Sequence, residues 1–145
     1  VRGQQPYLSL GFFQQLGQTQ PESLALCLAE SDTGPVAAAL FFKDDTTLYG
    51  RYWGSLTEVD CLHFEVCYYQ GIEYALRHGL SGFDPGTQGE HKLIRGFAPR
   101  LSCSLHYLQH EGLREAIAAY CVRENEHVKR YAEAAREALP FKQLA

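Results

Sequence analysis

The sequence predicts an α+β domain with a mixed central sheet, flanking helices and a long C-terminal helix. Three observations carry this prediction. Between Ser23 and Trp53 three apolar runs are separated by short polar turns, the pattern of an antiparallel meander. From Leu62 the apolar spacing widens to three and four, which is helical. From Glu111 onward the same helical spacing continues as far as Pro140.

In chain order, Ser9 is placed to cap a short helix through Phe12, Phe13 and Leu16 that ends near Gly17. Ser23 to Glu30 and Val36 to Phe42 read as strands joined by Ser31-Asp32-Thr33-Gly34-Pro35. Lys43-Asp44-Asp45-Thr46 is a second polar turn, leading to an aromatic third strand from Thr47 to Trp53. After a connector from Gly54 to Asp60, Leu62, Val66, Tyr69, Ile72 and Leu76 mark one helix face; Cys61 to Phe64 also fits a short strand feeding that helix. Gly79 is its stop and Gly82 to Asp84 a short buried strand. Leu101, Cys103, Leu105 and Tyr107 alternate with polar residues, as in a half-buried strand. Leu113, Ile117, Tyr120, Glu124, Val128, Tyr131 and Ala135 then line a helix of about 27 residues, roughly 40 Å long at 1.5 Å per residue. The sheet is therefore a meander followed by strand, helix and strand.

A chain of 145 residues fits one domain with a core of its own. The net charge of −4 argues against broad nucleic-acid binding, which needs a basic face, so no DNA partner is expected. Five cysteines with no C-x-x-C pair point to reduced thiols, and hence to the cytoplasm. C-x-H-x-x-x-C across Cys61, His63 and Cys67 lacks short-knuckle spacing, and no metal is expected. No apolar run approaches the roughly 20 residues that span a membrane. The chain starts at Val1 and contains no Met, which suggests a piece of a longer polypeptide.

The densest chemistry lies between Gly79 and Phe97. There F-D-P-G-T-Q-G-E-H-K-L-I-R-G-F sets Gln88, Glu90, His91, Lys92 and Arg95 among glycines. Polar groups crowded onto flexible backbone suggest a loop that grips a polar, anionic ligand.

The run L-H-F-E-V-C-Y-Y-Q-G-I-E-Y-A-L-R-H-G-L-S-G-F-D-P-G, with G-E-H-K-L-I-R-G-F-A-P after it, resembles the Fem-type peptidoglycan aminoacyltransferases. The likeness is strongest to the FemAB-like group associated with peptidoglycan biosynthesis or recognition and N-acyl transfer. It covers most of residues 8 to 108 and is most specific over 61–99. The resemblance implies the fold of the GCN5-related N-acetyltransferases, often found as two domains in tandem. This chain is then expected to be one acyltransferase-like domain, the C-terminal half of a longer tandem-domain protein. The implied activity is transfer of an acyl or aminoacyl group to an amine, on a small molecule or a cell-wall precursor. The donor is acetyl-CoA, another acyl-CoA or an aminoacyl-tRNA. The acetyltransferase signature R/Q-x-x-G-x-G/A is not intact, since its nearest match, Gln70-Gly71, lies inside a helical run. A pyrophosphate needs the free N–H groups of a helix start.

Such a transfer requires a base for the amine, donors for the carbonyl oxygen and an acid for the leaving group. Glu65 and Glu90 are candidate bases, with His63 and His91 as alternatives; Tyr68 or Tyr52 could donate a proton. Tyr52 and Trp53 offer an aromatic wall for substrate. Lys92 and Arg95 share one side if the loop turns helical, and could clamp a phosphate or carboxylate together with Gln88. Asp84 either touches substrate or ties the Pro-Gly turn by an Asx bond. Glu65, in the core, is either paired with an arginine or functional. The rival reading keeps the fold as a non-catalytic recognition or structural half of a two-domain protein.

Overall fold

The computed structural model describes residues 8–87 and 89–141, which belong to two compact units, Val1–Thr87 and Gln88–Ala145. In the first unit α1 (Leu10–Thr19) starts at Ser9, whose hydroxyl accepts from the Phe12 amide at 3.3 Å, and runs past Gly17. Three antiparallel strands follow: β1 (Leu24–Ser31), β2 (Gly34–Lys43) and β3 (Thr47–Ser55). A fourth strand, β4 (Gly82–Asp84), runs parallel to β3, pairing Thr47 with Gly82 and Tyr49 with Asp84. The sheet order is β1-β2-β3-β4, the expected mixed arrangement.

The alternation of small and large apolar residues in β2 sets the core. Ala37, Ala39 and Phe41 point to one face and are buried there, beside Leu48 of β3 and Val66. Ala25, Cys27 and Ala29 of β1 continue that face. The hairpin between β2 and β3 is tied by Asp44, whose Oδ1 accepts from the Thr46 and Thr47 amides, both at 2.8 Å, and whose Oδ2 accepts from the Tyr49 hydroxyl at 2.8 Å.

The covering helix is continuous but uneven. It begins with α2 (Leu62–Phe64), widens into a π-helical stretch, Glu65–Tyr69, and tightens into α3 (Gln70–Arg77). The alternative of a strand over Cys61–Phe64 is thus not realised, because Cys61 adopts φ 62° and turns the backbone into the helix instead. The face predicted from spacing is also displaced. Val66, Gly71 and Ala75 are buried as Tyr68 is, whereas Tyr69 and Leu76 are 46% and 74% exposed. The wide π turn inserts an extra residue, so a spacing reckoned at 3.6 per turn loses its phase. Gly79, at φ 66°, stops α3 as expected: its own N–H and that of Leu80 reach back to Leu76 and Ala75, the two bonds of a Schellman cap.

In the second unit a short 3-10 turn, Glu90–Arg95, lies between Gly89 and Gly96, both at positive φ, and α4 (Glu111–Glu137) extends for 27 residues. The predicted strand over Leu101–Tyr107 is a correction. Those residues have no regular structure, with Leu105 101% exposed, since alternation makes a strand only where a neighbour supplies the hydrogen-bond ladder.

Candidate functional site

The site grows from a mismatch in strand length. β4 ends at Asp84 opposite Tyr49, while β3 continues to Ser55. Past that point the chain leaves the sheet at Pro85-Gly86, held by the Gly86 amide donating to Asp84 Oδ1 at 2.8 Å. This is the Asx bond, one of the two readings open for Asp84. Among the described residues no strand pairs with the side of β3 away from β2 from Gly50 onward, and that edge borders a cleft.

A β-bulge refines that edge. Phe41 pairs with Gly50, but Leu40 pairs with Tyr52, leaving Arg51 as the inserted residue. The insertion exchanges the faces of everything after it. Trp53, opposite Ala39, joins the core face that carries Leu48 and Gly50, while Tyr52 turns to the other face, where its ring meets Phe13 of α1 at 5.7 Å. Simple alternation would have put Tyr52 inward and Trp53 outward. Bulges commonly re-aim side chains next to sites in this way.

Facing Trp53, the π-helical segment supplies the other wall. His63 lies edge-on to three rings, Trp53 at 5.3 Å, Phe64 at 5.5 Å and Tyr68 at 5.4 Å. Phe64 in turn stacks on Tyr68 at 6.2 Å. Residues five apart on a regular α-helix point about 140° away from each other; the wider π turn brings His63 and Tyr68 round to the same side. Together with Cys67, Pro85 and the floor of Ala39 to Phe41, these groups enclose about 120 Å³. That is below the roughly 300 Å³ at which pockets for whole cofactors or drug-sized ligands begin. It suits an acyl group or a short side chain.

Of the residues singled out in the sequence, Trp53 and Tyr68 therefore come together around His63, the alternative base, while Tyr52 borders the same cleft with its ring turned toward α1. Glu65 does not join them. It is exposed, contrary to its expected place in the core, and accepts a hydrogen bond from Gln70 Nε2 at 2.8 Å. It faces toward β1, where burial, and secondarily the Glu65 charge, push the Cys27 thiol above its usual pKa. The π turn is again the cause, since it rotates Glu65 out of the face that holds Val66 and Tyr68. Asp84 sits at the divergence point with its carboxylate engaged by the turn.

Glu90, His91, Lys92 and Arg95 all lie on the 3-10 turn of the second unit. With three residues per turn, Lys92 and Arg95 are eclipsed, as their spacing suggested. Both are half-buried, and Arg95 Nη1 donates to the His91 carbonyl at 2.7 Å. The His91 ring folds over Gly89, where any Cβ would meet it at 2.3 Å. Gln88 lies outside the described residues. A second hollow of about 150 Å³ between β1 and α3 carries Tyr74, Arg77 and His78. These groups engage neighbours of their own: Tyr74 stacks on His78 at 3.9 Å and Arg77 pairs with Glu73 at 3.0 Å.

Sequence reasoning passed over Arg51, and placed Gly71 inside a helix, where it is, without seeing what it packs against. A bulge leaves no mark in residue type, so nothing distinguished Arg51. Gly71 stood nearest to the cofactor signature, yet its role is packing: a Cβ there would lie 2.5 Å from the Phe83 ring and 3.4 Å from Phe41. Among the described residues no three His, Cys, Asp or Glu side chains gather where a metal ion could sit, and no helix is long and apolar enough to cross a membrane.

Residues 1–143 match the family model FemAB-like, described as peptidoglycan biosynthesis/recognition. No curated protein and no solved structure matches the chain.

Proposed function

The chain belongs to the FemAB-like family of peptidoglycan biosynthesis/recognition, and from that membership and the cleft we propose that it transfers an acyl or aminoacyl group to an amine. The observation that carries this reading is the meeting of His63 and Tyr68, ring centroids 5.4 Å apart, beside the open edge of β3. An imidazole can accept a proton near neutral pH and a phenol can donate one. An unladdered strand edge offers backbone N–H groups to an oxygen that gains negative charge.

In this reading the acceptor nitrogen attacks the donor's carbonyl carbon and its proton passes to His63. The bond from that carbon to the thiol or hydroxyl of the donor then breaks, and Tyr68 protonates the leaving group. The β3 edge stabilises the tetrahedral oxyanion. Trp53 and Phe64 hold the imidazole and exclude water. The fold of the GCN5-related acetyltransferases accounts for the mixed sheet and its divergent strands. The donor is an acyl-CoA or an aminoacyl-tRNA, larger than the small cleft. The acceptor is an amine of a cytoplasmic peptidoglycan precursor, and a second domain of the same polypeptide completes the protein.

A transfer assay with purified protein, following thiol or tRNA release in the presence of an amine, tests the reading. His63→Gln is expected to lower kcat by roughly 10²–10⁴-fold, the usual contribution of a general base, and Tyr68→Phe by less. Unchanged turnover in His63→Gln removes the base from the scheme. Binding of muropeptides without any turnover favours the rival, a recognition domain that keeps the fold without the chemistry; the broken Gln70-Gly71 signature speaks for that rival.

A further inference from the structure

β1 is an outer strand of the sheet, and among the described residues nothing pairs with its far edge. The ladder decides which of its groups point there. The Asp44 amide donates to the Thr47 carbonyl at 3.0 Å and the Leu56 amide to the Val36 carbonyl at 2.8 Å, so even-numbered residues of β2 bond toward β3. The odd-numbered ones, Ala37, Ala39 and Phe41, bond toward β1, opposite Ala29, Cys27 and Ala25. The N–H and C=O groups of Leu26 and Leu28 are left pointing outward. Their side chains alternate onto the face away from the core cluster and are 59% and 52% exposed. Native sheets blunt such an edge with lysine, proline or a very short strand. The opposite edge complies, since β4 has three residues and runs into Pro85. β1 does not: Leu24 to Ala29 holds no charge and no proline.

Carboxylates flank this edge. Glu22, Glu30 and Asp32 are exposed at its ends. Glu65 is exposed on the π-helical segment packed against β1, where burial, and after it the Glu65 charge, raise the Cys27 thiol. Arg77, on the same side, is held by Glu73 at 3.0 Å. A second copy of the chain therefore fits badly. Antiparallel pairing about Leu26 sets Glu30 against Glu22 of the other copy, and pairing about Cys27 sets Asp32 against it; like charges directly opposite are destabilising. We infer that β1 is a docking edge for an extended basic segment of another protein, which joins the sheet as a fifth strand through the backbone of Leu26 and Leu28 and sets lysine or arginine against Glu65 and the flanking carboxylates. Backbone bonds give such a contact its strength and alternate side chains its selectivity. Nothing in it rests on the proposed transfer.

The probe is the peptide acetyl-KVKVKVK-amide, whose valines meet Leu26 and Leu28 while its lysines fall on the side of Glu65. Amide exchange of the full chain is followed by NMR. Without peptide the Leu26 and Leu28 amides are expected to exchange freely; at ten times its Kd the peptide slows both by about tenfold. N-methylation of the valines, whose N–H groups bond to β1 in antiparallel register, abolishes the slowing, whereas N-methylation of the lysines, whose groups point away, preserves it. Glu65→Gln, at an exposed position, raises the Kd by up to about fivefold, the weight of one exposed ion pair. Equal slowing by acetyl-EVEVEVE-amide, or an unchanged Kd in Glu65→Gln, overturns the charge assignment. Equal slowing by the valine-methylated peptide overturns the added strand. Protection already present without peptide overturns the proposal: if lost on dilution it gives the edge to a second copy, and if not, to the chain itself. No slowing by any peptide overturns it outright.

Discussion

Asp44 shows how much one side chain organises. Hydrogen bonds, first from the Thr46 amide, then from the Tyr49 and Thr46 hydroxyls and the Thr47 amide, pull its carboxyl from 3.8 down to about 2. A lowered pKa means that the unfolded chain binds the proton more readily, so stability rises with pH across that interval. The contribution is whole above the unfolded value and is lost as pH falls through the folded one. Wild type is therefore expected to lose more stability than Asp44→Asn between pH 3.8 and about 2, with the melting temperature followed against pH as the measure. Identical acid limbs would show that the turn holds without the charge. Cys61 makes a second point. A non-glycine residue at φ 62° two positions before His63 stores local strain at the entrance to the cleft wall.

Helix and strand each carry one irregularity at the site, and both lie where the spacing rules fail. The bulge at Arg51 swaps the faces of Tyr52 and Trp53, and the π turn from Glu65 to Tyr69 rotates Tyr68 in and Glu65 out. Neither is written in residue type, because both are settled by how strand and helix fit across the core. Helix-to-sheet contact depends on Gly71, over which the Phe83 ring closes, with Phe41 beside it. Replacing it by alanine improves helix propensity by up to about 1 kcal/mol but overfills the contact, typically at a cost of about 1–3 kcal/mol. A net loss of stability in urea denaturation is the expected result. A gain would mean that Phe83 moves aside freely.

The whole chain divides its labour unevenly. Every member of the principal hydrophobic cluster lies between Ala25 and Phe83, and all residues of the cleft lie between Ala39 and Pro85. The first unit, Val1–Thr87, is thus expected to fold by itself, with one cooperative unfolding transition seen alike by circular dichroism and Trp53 fluorescence. A fragment that shows no transition, or two that do not coincide, would place part of its stability outside those residues. The second unit has few fully buried side chains among those described, Ala132 and Ala135 on α4. The stripe from Leu113 to Tyr131 was legible as a helix from its period alone, but period does not say what covers it; Leu113 and Tyr120 stand about half exposed.

What the amino-acid order determined unaided was local. Apolar runs bounded by polar turns specified the meander, Ser9 and Gly79 specified where helices begin and end, and the long period specified α4, because hydrogen-bonding and backbone preferences of neighbouring residues suffice for these. The run over 61–99 also carried enough family character to be recognised, and an Asx bond was one of the two readings open for Asp84. Only the folded chain decided which of several plausible polar residues share a cleft. That choice of His63 and Tyr68 over Glu65, with Arg51 at the rim, depends on one inserted residue in a strand and one in a helix. Each is stabilised by packing between segments far apart in sequence, and such packing has no local signal to read.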